Sequence, residues 1–146
     1  MSLAADVVTK LAATSAVANR CATNPKTGTK AIRPDRLSQT DKLTGNLCGI
    51  EVVVSETDYQ TDTIDSGKTA ICKLLVDCIA LNSTSANALA NSVEDSLEPW
   101  RGATSGGTVL AVDLTDRRED WGTNSDGSDS GEYVVELELS VIYQRV

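Results

Sequence analysis

From Glu132 to Arg145 the side chains alternate with a period of two. Tyr133, Val135, Leu137, Leu139, Val141 and Tyr143 fall on one side, and Val134, Glu136, Glu138, Ser140, Ile142 and Gln144 on the other. Successive strand residues point to opposite faces, so this segment buries one face and leaves the other wet and acidic. At roughly 3.4 Å per residue the run reaches about 45 Å, well past a usual strand. A strand of that reach is expected to outrun its own domain or to pack against neighbouring subunits.

The 146 residues fit a single domain, 1–146, able to bury about two thirds of its unfolded surface. Phe is absent, so the core must come from Val, Leu, Ile, Ala and Cys. No segment approaches ~18 uninterrupted apolar residues, and the N-terminus lacks the basic start and apolar stretch of a signal peptide. A soluble protein made in a cytosol, without a membrane partner, is the expectation. Cys21, Cys48, Cys72 and Cys78 form no CxxC pair, and there is no His to complete a zinc site. They are read as buried free thiols acting as small apolar residues.

Charge divides the chain. Residues 1–47 carry seven Lys/Arg against three Asp/Glu, whereas the remainder carries six against eighteen. An acidic body repels DNA and favours self-association in which a basic arm of one subunit meets the acidic body of the next. Two simply solvated surfaces would carry the same pattern.

Along the chain, Ser2 caps a helix with Leu3, Val7 and Leu11 on one stripe, ending near Thr14 to Ala16. Residues 22–47 hold Pro25, Gly28, Pro34 and Gly45, are basic and show no sustained period, so they read as a long loop, disordered or functional. Strands follow at Leu47 to Thr57 and Thr69 to Leu81, with an exposed connection over 58–68. Ser83 to Glu98 is a helix on Ala86, Leu89, Ala90, Val93 and Leu97, capped by Ser83 or Ser85 and stopped by Pro99. Thr108 to Trp121 is a third strand with Leu110, Val112 and Leu114 inward, and the loop Gly122 to Gly131 leads to the last. The fold class expected is α+β, a mostly antiparallel sheet of about four strands with two helices packed on one face.

Motifs that carry chemistry are weak. Ser66-Gly67-Lys68-Thr69 ends like a phosphate-binding loop, but Asp62 stands where its first glycine belongs and a strand follows rather than a helix. Asn124 to Gly131 is rich in oxygen ligands but fits a calcium loop in neither frame. Without His, no Ser-His-Asp or Cys-His arrangement exists. The many carboxylates sit on wet faces, with nothing to mark one as tuned. No cofactor, metal or catalytic residue is expected. Trp100 and Trp121 are candidates for an interface or for capping the core.

The order of a short N-terminal helix, the strand Gly49-Ile50-Glu51-Val52-Val53-Val54, an alternating strand feeding Ala86-Asn87-Ala88-Leu89-Ala90-Asn91-Ser92-Val93, and Asp126-Gly127-Ser128-Asp129 before Tyr133 to Tyr143 resembles the tail terminator family of long-tailed bacteriophages. The basic segment 22–47 departs from its shortest members. The resemblance implies a structural virion protein without catalytic residues, assembled in the host cytoplasm. It would form a hexameric ring on the last ring of the tail tube, stopping polymerisation and meeting the head connector, or neck, proteins. Its partners would be itself, the tube protein and the connector, with DNA only passing through. Alternatives are a head-completion or minor tail protein and, from another class, a small cytosolic carboxylate enzyme or ligand-binding domain. Lys30, Arg33, Arg36, Lys42, Trp100 and Arg101 are expected at subunit or partner interfaces, and Glu136 and Glu138 facing the channel.

Overall fold

The computed structural model of this chain describes residues 2–59, 69–123 and 129–145. Among these residues three helices, α1 (Leu3–Ala13), α2 (Ser15–Ala18) and α3 (Ser83–Leu97), accompany six strands: β1 (Ile32–Pro34), β2 (Gly49–Tyr59), β3 (Thr69–Ala80), β4 (Gly102–Ala103), β5 (Gly107–Thr123) and β6 (Asp129–Arg145). The strands form one sheet in the order β1-β2-β3-β6-β5-β4. β1 runs parallel to β2 and every other neighbouring pair is antiparallel.

This corrects the expected four antiparallel strands with two helices packed on one face to a six-stranded mixed sheet with three short helices. The additional elements β1, β4 and α2 span two to four residues, too few to show a period in sequence. They exist because the fold presents partners to them: Ile32, Arg33 and Pro34 lie beside Ile50, Glu51 and Val52, and Gly102 and Ala103 beside Val109 and Thr108.

Alternation in β6 is realised as burial. Val135, Leu137, Leu139, Val141 and Tyr143 are buried, and they pair with Cys78, Val76, Leu74, Cys72 and Ala70 of β3, all buried too. Ile50 and Val52 of β2 and Val109 and Val112 of β5 extend this face across the sheet. Leu3, Val7 and Leu11 of α1 and Leu89, Val93 and Leu97 of α3 complete a single core. Full burial of such a side chain is worth roughly 1.5–3 kcal/mol. The four cysteines are buried free thiols within that core, and burial pushes the Cys21 thiol up to about 12. Leu110, expected inward, is instead 45% exposed, because a bulge between Val109 and Ala111 shifts the register there.

Ser2 caps α1 by accepting the Ala5 N–H at 3.2 Å. The cap of α3 is Asn82, which accepts the Ser85 N–H at 2.8 Å, in place of Ser83 or Ser85. Asp6 of α1 is buried and accepts the Tyr143 hydroxyl at 2.6 Å and the Thr104 hydroxyl at 2.7 Å, tying the first helix to the last strand. Gly107 opens β5 beside that junction, where a Cβ would lie 2.2 Å from the Gln144 carbonyl oxygen.

The stretch 22–47 is organised by side chains. Buried Asn24 accepts the N–H groups of Lys26 and Thr27 and donates to Thr40 and Asp41 at 2.9 Å each. After β1, Asp35 takes a left-handed conformation (φ 71°) and turns the chain toward the sheet edge.

Candidate interaction surface

The face of the sheet away from the helices collects carboxylates because strand order stacks the polar positions of four strands in rows. One row runs Glu51–Asp77–Glu136–Arg118, the next Val53–Leu75–Glu138–Asp116, and a third Glu56–Lys73–Ser140–Asp113. Only Lys73 and Arg118 counter the acids in these rows. Lys73 Nζ lies 3.0 Å from Glu138 Oε1, while Arg118 bonds Asp116 at 2.7 Å and also Glu136. The Lys73 ammonium holds the Glu138 carboxyl below its ordinary range, and Glu138 in turn raises the Lys73 pKa.

Asp77 sits between two acids. Burial, then the hydrogen bond and charge of Glu136 and the charge of Glu51, push its carboxyl up to about 7. Its Oδ1 has no hydrogen-bond partner among the described residues. Asp77, Arg118, Glu119, Asp120, Val134 and Glu136 line an open hollow of about 420 Å³. No group of three or more ligating side chains suited to a metal occurs among the described residues.

Glu136 and Glu138 therefore lie on this polar face, each held by a cation from a neighbouring strand. Lys30, Arg33, Arg36 and Lys42 gather at the opposite margin, around β1. Arg33 is engaged within its own chain, donating from Nε at 3.2 Å and Nη2 at 3.0 Å to Asp41, whose side chain is fully buried. Burial raises the Asp41 pKa, but hydrogen bonds from Arg33, Asn24 and the Ser38 N–H outweigh it and hold the carboxyl below its ordinary range. Lys30 Nζ donates to the Cys21 carbonyl at 3.4 Å. Arg36 and Lys42 are exposed, and neither forms an ion pair among the described residues.

Trp100 and Arg101 stand apart from these, between α3 and β4. Trp100 is half-buried against the core, and Arg101 donates to the Glu98 carbonyl at 2.8 Å and the Trp100 carbonyl at 2.6 Å, satisfying the end of α3. Trp121 is exposed and tilts against Tyr133 with ring centroids 5.7 Å apart.

Sequence reasoning missed Asp77, Lys73 and Arg118 as members of the surface. All three fall on the polar side of alternating strands, but only the adjacency of β3, β6 and β5 brings them to Glu136 and Glu138. The suspect loops at Ser66 to Lys68 and Asn124 to Ser128 lie outside the described residues. No described helix is long and apolar enough to cross a membrane.

The chain matches no protein-family model and no curated protein sequence. Among solved structures it is similar to a chain described as the virion of a native gene transfer agent (GTA) particle, at 19% identity with a TM-score of 0.65. The match covers 98% of this chain and 95% of that one, so the likeness shows a shared fold over nearly the whole of both.

Proposed function

We propose that this chain is a structural virion protein: a tail terminator that forms a ring, a hexamer in this reading, at the head-proximal end of a phage tail tube. There it stops tube polymerisation and joins the tail to the head connector. The observation that carries the reading is the near end-to-end likeness to a chain of a gene transfer agent virion. That likeness supports the virion setting, and the terminator role within it rests on the resemblance of the sequence to tail terminators.

The acidic rows give the proposal physical content. In a ring with this face toward the central channel, Glu136 and Glu138 repel phosphates, and DNA passes without sticking. A head-completion or minor tail protein would share the virion setting and differ in which end it binds. Negative-stain imaging of the purified chain, alone and mixed with tail tubes, tests this. Rings capping tube ends are expected; rings that bind only portal-bearing heads transfer the assignment to the neck, and a monomer indifferent to tubes removes it.

One observation favours a carboxylate enzyme, namely Asp77 with its raised pKa in an open hollow. The stacking of Glu51, Asp77 and Glu136 accounts for that shift without a substrate. Asp77→Asn rings that still cap tubes side with the structural reading.

A further inference from the structure

We infer that neighbouring copies join through the β5 margin of one subunit and the basic rim around β1 of the next, by side-chain charge rather than by a strand ladder. The inference rests on the ring reading above and specifies its joint.

The two margins are the ends of the sheet. β4 shields only Thr108 and Val109, so from Leu110 to Trp121 β5 has β6 on one side and, among the described residues, no strand on the other. Bulges at Val109/Ala111 and Leu114/Asp116 and a run of charged side chains blunt this margin against indiscriminate strand addition. At the other end β1 offers little for a ladder. Pro34 has no N–H, and the Ile32 N–H already donates to the Lys30 carbonyl at 2.8 Å.

What each margin does offer is charge without an ion pair in its own subunit. Asp113, Glu119 and Asp120 are exposed and form none among the described residues, and the same holds for Arg36 and Lys42. Of the acids, Glu119 and Asp120 stand at the height of the basic pair, whereas Asp113 lies in the row of Glu56. The segment carrying Arg36 and Lys42 is pinned to the sheet by the Leu37 N–H donating to Glu51 Oε2 at 2.8 Å, and Lys42 shares a hollow with Glu51 and Ile79. Ile79 pairs with Val134, and Val134 with Asp120.

Rotation about an axis running along the strands therefore brings the Lys42 rim of one copy level with Asp120 of the next. It is a heterologous contact that closes a ring. Farther along β2 the match reverses, since Glu56 and Asp58 would confront Asp113 and Ala111. The joint is thus confined to the β1 half of the sheet.

The test is a charge swap in the full chain, read by native mass and sedimentation, with thermal melts to confirm folding. Lys42→Glu and Asp120→Lys are each expected to weaken assembly roughly tenfold or more, the double variant to restore it, and 0.5 M salt to weaken the wild type. Hydrogen exchange supplies a second readout: residues 116–121 should be slower to exchange in assembled wild type than in either single variant. Wild-type rings with both single variants assembling as tightly, or a double variant no better than the singles, overturn the joint and leave the ring standing. Wild type that never assembles, with or without tubes, overturns both.

Discussion

Asp77 shows how a residue's chemistry follows from its neighbours. Its folded pKa of about 7 lies above the ordinary carboxylate value, so the folded state binds more protons than the unfolded chain between roughly pH 4 and 7. Stability is therefore highest below that window and falls as pH rises through it. Asp77→Asn is expected to flatten this dependence and to add on the order of 1 kcal/mol at pH 8, measured by denaturant melts across pH; a steeper profile would contradict the assignment. Asp41 has the opposite sign: its contribution is present above the ordinary carboxylate pKa and is lost as pH falls through its lowered folded value. At the Asp6 junction, burial and the Asp6 carboxylate push the Tyr143 hydroxyl up to about 12. Tyr143→Phe is expected to cost about 1.5–3 kcal/mol, because it removes a bond to a charged acceptor; an unchanged melting curve would show the tie to be idle.

Among the elements, β2, β3, β5, β6, α1 and α3 were legible because each repeats a pattern of period 2 or 3.6 long enough to be counted. Register was not legible. Leu110 looks like Val112 in sequence, and only a bulge decides that Val109 turns inward in its place. β1 was hidden in a segment without periodicity, since hydrogen bonds among Asn24, Arg33 and Asp41 order it rather than an apolar stripe. Asp41→Ala is therefore expected to expose residues 35–43 to protease several-fold faster while β6 stays protected, which limited proteolysis with mass mapping reads directly. Leu139→Asp, by contrast, places an unpaired carboxylate in the fully buried row of β6 at a cost of several kcal/mol. The chain should then fail to fold, as circular dichroism would show; a folded, soluble product would mean the two faces are inverted.

For the whole molecule, the acidic rows and the basic rim were half legible. Composition gave the charge asymmetry between residues 1–47 and the rest, but strand order decides that the acids of β2, β3, β5 and β6 share one face. Local hydrogen bonds within 22–47, rather than strand order, engage Arg33, a residue expected at an interface, with Asp41 of its own chain. If that face borders a channel, Glu136→Lys with Glu138→Lys should make assembled rings retain double-stranded DNA at low salt, in a filter-binding assay where wild-type rings release it. Equal release by both would detach the face from the channel.

The strand latest in sequence occupies the interior of the sheet, between β3 and β5. A nascent chain that lacks Tyr133 to Tyr143 leaves β3 and β5 with bare borders and the core without Val135, Leu137, Leu139, Val141 and Tyr143. The two halves of the sheet are therefore joined only once β6 has been translated.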